Sequence, residues 1–156
     1  GNLAKWYMVA LKGRKWKVDH IVMRYMRSIS SLGVSYDGAG LDYFIHKNVN
    51  DLELPERFVC FAIGGAHATK RLPAEKITEI CRSIDLPVIL LGGPADVEAA
   101  QLITDKLDHV KSLCGRISLS ESARVTSLCM VLLTHDTGLM HIAAALRKPI
   151  ISIWGN

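Results

Sequence analysis

The sequence lacks the features of a membrane or secreted protein. Its apolar runs, such as residues 87–91 and 129–133, are far shorter than the ~20 residues that a membrane-spanning helix requires. The opening residues, GNLAKWY, show no succession of charged, apolar and small residues of the secretory kind, and the chain does not begin with Met. We therefore predict a cytoplasmic protein, and we expect this chain to be a piece of a longer one.

Common motifs of metal and nucleotide sites are also missing. The four cysteines stand well apart, with no CxxC pair and no histidine pair at zinc-ligand spacing, which predicts buried free thiols and no metal site. Neither a P-loop nor GxGxxG occurs, which disfavours a nucleotide triphosphatase and a dinucleotide-dependent dehydrogenase. The remaining composition, 49% hydrophobic and 22% charged, predicts a globular chain that buries a core of its own.

Positive charge is concentrated at the N-terminal end. The first 31 residues carry seven Lys or Arg against Asp19 alone. Apolar residues at 18, 21, 22, 25, 29 and 32 predict a helix with one buried stripe that stops at Gly33, and similar spacing at 3–10 predicts another helix. Residues 34–56 are rich in turn formers, so we predict a linker there, with at most a short strand at 41–45.

The rest of the chain alternates short apolar runs with amphipathic stretches. Helical spacing predicts helices near 77–84, 100–107 and 139–146, and a capping box of Ser118 and Glu121 opens a further helix. The apolar runs predict five parallel strands buried on both faces, at residues 58–63, 88–91, 110–113, 130–133 and 150–154. This order predicts an α/β fold, a Rossmann-like doubly wound parallel sheet over residues 55–156, preceded by basic helices and a linker over 1–54.

The turns that follow the strands are where such sheets bind ligands. The turn at 135–138 leads into a helix whose first amides have no intrahelical partners, which predicts a phosphate site. Gly138 leaves room for the ligand, and Thr137 and His141 lie on the outer face of the helix. The alternative is that Asp136 only caps the helix and that His141 is a solvated residue.

Two further turns carry candidate contacts. The turn at 64–70 combines two glycines with a cation at Lys70 or Arg71, which predicts a second phosphate contact. A solvated charge pair is the alternative. The turn at 92–96 offers the carboxylate of Asp96, which either contacts ribose hydroxyls or caps a helix.

Taken in order, these turns resemble the C-terminal half of glycosyltransferase family 9, the lipopolysaccharide heptosyltransferases. The matching stretches are 64–73, 88–96, 113–119, 136–146 and the strand that ends at 154–155, and the stretch at 136–146 is the most specific. The resemblance implies a GT-B architecture of two Rossmann-like domains with the active site between them. In this architecture the C-terminal domain holds the nucleotide-sugar donor, usually an ADP-heptose.

The resemblance also implies roles for individual residues. Backbone amides at the helix start would hold the diphosphate, Lys70 would neutralise it, and His141 would orient it. Leu72 replaces the aromatic residue usual in the family, so no stacking contact is implied there. The implied donor and phosphate contacts are Thr69, Lys70, Asp136, Thr137, Gly138, Leu139 and His141, and ribose or base contacts are implied at Gly93, Pro94 and Asp96.

The reaction that the resemblance implies is sugar transfer from an ADP-sugar to a lipid-linked oligosaccharide, the lipopolysaccharide core. The nucleotide sugar is a substrate, and neither a cofactor nor a metal ion is implied. The general base is expected in an N-terminal domain outside this chain, so the chain alone is predicted to be inactive. The alternatives are a non-catalytic nucleotide- or phosphosugar-binding module and a GT-B sugar epimerase.

The basic N-terminal stretch has an interpretation of its own. With Trp6, Tyr7 and Trp16 among its neighbours, it is either a solvated face or a surface for anionic lipid or nucleic acid. A solvated face is the more common case for such a stretch. Peripheral contact with the inner membrane is the alternative that we keep, and we predict no nucleic-acid partner.

Overall fold

The computed structural model describes residues 20–45, 52–65 and 71–154. The chain divides into two compact units, Gly1–Gly40 and Leu41–Asn156. No helix within the described ranges is long and apolar enough to cross a membrane. The helix predicted at residues 3–10 lies outside the described residues, and the domain boundary at residues 54 and 55 stays a prediction.

The first unit contains one described helix, α1 (Ile21–Ile29), which continues into a 3-10 turn, Ser30–Leu32. Gly33 ends it in the left-handed conformation, φ 77°, as the sequence predicts. The prediction of a buried stripe is wrong, because no residue of this helix is buried and Tyr25 is 67% exposed. An amphipathic pattern marks the apolar face, but that face becomes buried only where another element packs on it.

The second unit is built on a five-stranded parallel sheet in the order β3-β2-β1-β4-β5. The strands are β1 (Val59–Ala62), β2 (Val88–Leu91), β3 (Val110–Ser112), β4 (Leu132–Thr134) and β5 (Ile150–Ser152). The chain builds outward from β1 to β3 and then returns to place β4 on the other side of β1. The predicted doubly wound α/β fold is confirmed.

Helices cover both faces of this sheet. The four helices are α2 (Ala74–Arg82), α3 (Val97–Thr104), α4 (Leu119–Leu128) and α5 (Gly138–Ala145). Side chains alternate along β1, so Phe61 packs with apolar residues of α2 and α3, whereas Cys60 and Ala62 pack with those of α4 and α5. The capping box that opens α4 is confirmed: Glu121 N–H donates to Ser118 Oγ at 3.2 Å, and Ser118 N–H donates to Glu121 Oε2 at 2.7 Å. All four cysteines are free and buried.

One detail of the predicted sheet is corrected. The two edge strands, β3 and β5, are not buried on both faces, since Lys111 is exposed and Ile151 is 56% exposed. No strand forms at residues 41–45, where the chain has no regular structure. Instead, Tyr43 packs against the α4 and α5 side of the core together with Leu52 and Leu54. These residues cover an apolar surface without pairing to a strand.

Candidate nucleotide-binding site

A cleft of about 740 Å³ opens at the carboxyl edge of the sheet. It lies between β1 and β4, on either side of which the strands are added in opposite directions across the sheet. This switch point is where doubly wound sheets bind ligands. The turns after β1, β2 and β4 form its walls, and the start of α4 closes one side. Its lining residues are Ala62, Gly64, Gly65, Arg71, Leu91, Gly92, Gly93, Pro94, Ala95, Asp96, Ile117, Leu119, Ser122, Asp136, Thr137, Gly138, Leu139 and His141.

The turn after β4 directs the start of α5 into this cleft. Thr137 occupies the N-cap position in an extended conformation, and its side chain accepts no bond from the helix amides. Its hydroxyl lies 3.1 Å from the hydroxyl of Thr134, which donates to the His135 carbonyl at 2.9 Å. Thr137 therefore turns back toward the strand and does not cap the first amides of α5.

Gly138 is the open point of this turn. A Cβ built on it would meet no atom of the described residues within 4 Å beyond its own chain neighbours and helix backbone, so the space beside its Cα is open. Leu139 is buried and fixes the helix against the sheet, while His141 is exposed on the cleft side. The helix dipole adds positive potential at this end of the helix.

The turns after β1 and β2 are filled by the side chain of Asp96. This carboxylate is only 6% exposed, and its Oδ2 accepts from the Gly93 N–H at 2.8 Å. A Cβ on Gly64 would come within 2.6 Å of Oδ2, and one on Gly92 within 2.8 Å. Both positions therefore require glycine because the carboxylate occupies the place of a side chain.

Arg71 joins these two turns. Its Nη1 lies 3.2 Å from Asp96 Oδ1, and its Nε donates to the Gly65 carbonyl at 2.6 Å. The guanidinium thus holds a residue from the turn after β2 and a carbonyl from the turn after β1. A solvated charge pair does not describe Arg71, which lines the cleft with its side chain 37% exposed.

His135, which follows β4, ties a further turn to this cleft. It is 1% exposed, and its Nε2 accepts from the Leu72 N–H at 3.2 Å, which places the ring proton on Nδ1. Nδ1 has no hydrogen-bond partner among the residues that the structure describes. Burial lowers the pKa of His135 from its ordinary value of 6.5, and the positive charge of Arg71 lowers this pKa further. The Gly64 backbone acts in the opposite direction and raises it.

The cleft brings together eight of the ten residues predicted to bind the donor. Gly93, Pro94 and Asp96 line one side, and Asp136, Thr137, Gly138, Leu139 and His141 line another. Thr69 and Lys70 lie outside the described residues. Sequence reasoning gave no role to His135 or Ile117, although both stand in turns that follow strands, and it missed Ser122. A polar residue at the end of an apolar strand was the available signal for His135, and the capping box at Ser118 was the signal that α4 begins at this edge.

The chemistry that this arrangement supports is the binding of an anion beside an apolar surface. Backbone amides at the start of α5 supply donors for an anion, while Leu91, Pro94 and Ile117 supply apolar area. Among the described residues no cluster of three His, Cys, Asp or Glu side chains could hold a metal ion.

Comparison with known proteins identifies the family. The model of glycosyltransferase family 9 (heptosyltransferase) matches residues 11–156. The chain belongs to glycosyltransferase family 9. Lipopolysaccharide heptosyltransferase 2 of Escherichia coli (strain K12) is 31% identical over 94 residues, 55% of this chain and 27% of that protein. Lipopolysaccharide heptosyltransferase 1 of Pseudomonas aeruginosa is 30% identical over 132 residues, 74% of this chain and 36% of that protein.

Solved structures of family 9 members share the fold. E. coli heptosyltransferase WaaC with ADP-2-deoxy-2-fluoro heptose superposes with a TM-score of 0.66 at 26% identity, over 90% of this chain and 46% of WaaC. The family 9 glycosyl transferase from Veillonella parvula DSM 2008 gives a TM-score of 0.73 at 24% identity, over 89% of this chain and 45% of the Veillonella chain. This chain thus spans less than half the length of each relative named here.

Proposed function

We propose that this chain is the donor-binding part of a heptosyltransferase-like glycosyltransferase. The enzyme would transfer a heptose from ADP-heptose to the lipopolysaccharide core. The observation that carries the proposal is the start of α5, which the Thr137 side chain does not cap and which opens at Gly138 into a cleft of about 740 Å³. The family match and the ADP-bound relative WaaC support the choice of nucleotide.

The diphosphate belongs at the start of α5. The amides of Gly138 and Leu139 are the donors that a helix start offers to phosphate oxygens, and His141 lines the cleft one turn further along. We propose that Lys70, with Thr69, adds positive charge from the turn after β1. Asp136, which also lines the cleft, contacts the donor or fixes the turn.

The nucleoside belongs on the apolar side of the same cleft. Pro94, Ile117 and Leu119 provide a surface for a base, and an apolar pocket with few polar groups is the usual character of nucleotide sites. Asp96 lies beside this surface, but its oxygens already bind Gly93 and Arg71. A ribose hydroxyl would use the lone pairs that these two bonds leave.

The chemistry of this half is stabilisation of the leaving group. During glycosyl transfer, negative charge builds on the departing diphosphate while the sugar becomes cationic. Helix-start amides and Lys70 meet that charge without rearrangement, which lowers the barrier. The general base acts on the acceptor hydroxyl, and we assign it to another domain. The acceptor is a lipid-linked oligosaccharide, and the basic residues before Gly33 would support peripheral contact with an anionic membrane.

Nucleotide titration followed by amide NMR tests the proposal. ADP, UDP, GDP and CMP are added separately to the isotope-labelled chain. Saturable shifts with ADP, clustered at residues 137–141 and 64–70, are the expected result. No saturable shift with any of the four nucleotides would overturn the proposal, and shifts confined to residues 20–40 would place binding elsewhere.

A further inference from the structure

Arg71 makes contacts that a simple phosphate ligand does not need. One edge of its guanidinium binds the Gly65 carbonyl at 2.6 Å, and Nη1 faces Asp96 at 3.2 Å. Asp96 in turn accepts the Gly93 N–H at 2.8 Å. A single side chain therefore connects the turn after β1 to the turn after β2 through a continuous set of hydrogen bonds.

The Asp96 carboxylate depends on this arginine. It is 6% exposed, and a buried carboxylate is retained only with a positive partner and hydrogen bonds. Within the described part of the chain, Arg71 is the cation that forms an ion pair with Asp96. If Arg71 left Asp96 to bind a phosphate, it would leave a buried and unpaired charge.

The position of Asp96 sets the spacing of three turns. Its carboxylate lies against Gly64 and Gly92, each too close for a Cβ. The 3-10 turn that contains Asp96, Pro94–Asp96, leads into Val97, which packs against the turn after β3. There Gly115 has φ +66°, and a Cβ on it would lie 2.8 Å from Val97 Cγ2. A shift of Asp96 would therefore move the wall of the cleft at several points.

We infer that Arg71 is a positioning residue that shapes the nucleotide cleft through Asp96 and does not itself bind the diphosphate. This inference rests on the proposed function, since it concerns the same cleft. Replacing a residue that acts through the shape of the wall should lower the affinity for every nucleoside that touches the wall, with or without phosphate. Replacing a residue that binds phosphate directly should lower the affinity only for ligands that carry phosphate.

A double-mutant cycle separates these two roles. The affinities for ADP and adenosine are measured for the wild type, Arg71→Met, Asp96→Asn and the double variant. We expect Arg71→Met to weaken ADP and adenosine by a similar factor, about tenfold, and to lose most of this effect in the Asp96→Asn background. Arg82→Met, which removes an exposed arginine from the end of α2, is the control and should change neither affinity.

Arg71→Lys keeps the charge beside Asp96 but cannot reproduce both contacts of the guanidinium fork. It should recover part of the affinity for both ligands, and it carries the same comparison if Arg71→Met does not fold. A loss confined to ADP, of equal size in the wild-type and the Asp96→Asn backgrounds, would make Arg71 a phosphate ligand and overturn the inference while the proposed function stands. A wild type that binds neither ligand would overturn both.

Discussion

Glycines stand at the carboxyl ends of β1, β2 and β4 for two different reasons. At Gly64 and Gly92 the space of a side chain is already taken by the Asp96 carboxylate, 2.6 and 2.8 Å from the built Cβ atoms. A Cβ built on Gly138 would meet no atom of the described residues within 4 Å beyond its chain neighbours and helix backbone. The first two glycines serve packing within the protein, and the third keeps a surface free.

This difference supports the proposed ligand contact at the start of α5. A turn filled by a side chain gives the cleft a fixed shape. An open turn at a helix start can donate backbone hydrogen bonds to a bound anion. His135, which follows β4, joins the open turn to the filled ones by accepting the Leu72 N–H, whereas Arg71 joins the two filled turns to each other. The comparison leads to four predictions, in order of decreasing expected effect.

Filling the open turn should have the largest effect on binding. Gly138→Val places a branched side chain in front of the α5 amides, so two charge-assisted hydrogen bonds are lost and the affinity for ADP should fall about 100-fold or more. Calorimetric titration measures this change. Ala144→Val, on the exposed side of the same helix, should bind ADP like the wild type. Unchanged affinity in Gly138→Val would contradict the assignment of the phosphate site.

Adding a methyl group to the two kinds of turn should separate them in stability. Gly64→Ala forces its Cβ against a carboxylate that Arg71 holds in place, so the free energy of unfolding should fall by about 2 kcal/mol. Gly138→Ala should change it by less than about 0.5 kcal/mol, because its Cβ enters open space. Urea unfolding of both variants measures the difference. Equal losses would mean that the two glycines serve one purpose.

Lys70 tests whether the turn after β1 also contributes charge. Lys70→Ala should weaken ADP by about tenfold and adenosine much less, because only ADP carries the diphosphate that the lysine would neutralise. Parallel titrations with both ligands measure the ratio. Lys106→Ala removes an exposed lysine from another part of the surface and should leave the ratio unchanged. An equal loss of both ligands would assign Lys70 to packing.

The smallest expected effect concerns pH. Because the native pKa of His135 lies below 6.5, the unfolded chain binds more protons in acid, and stability present above pH 6.5 is lost as the pH falls toward the native value. His135→Gln keeps an acceptor for the Leu72 N–H but does not titrate. Between about pH 7 and pH 5 the wild type should therefore lose more of its free energy of unfolding than this variant, as measured by urea unfolding. Parallel stability profiles would show that His135 does not contribute.

Much of the second unit follows from local pattern. The apolar runs predict five parallel strands, Ser118 and Glu121 predict the start of α4, and the sequence around Gly138 predicts a helix start at the carboxyl edge of the sheet. These features depend on residues that are near each other in the chain, so one sequence is enough to find them. Gly33 ends its helix for the same local reason.

Other features depend on distant partners. The apolar spacing of α1 predicts a buried stripe, yet no residue of this helix is buried, and β5 lies at an edge although its composition matches a central strand. The partner of Asp96 could not be found from spacing, because 25 positions separate it from Arg71 in the sequence. His135 and Leu72 are 63 positions apart.

The sequence by itself determined the order of strands and helices along the chain and the start of a helix in the turn after β4, since both are set by short-range periodicity and by local turn residues. Only the tertiary structure decided at which glycines the space of a side chain is occupied and at which it is empty. That choice depends on where Asp96 lies after the chain has reversed around β1, and steric exclusion between segments from different strands has no signature in local sequence.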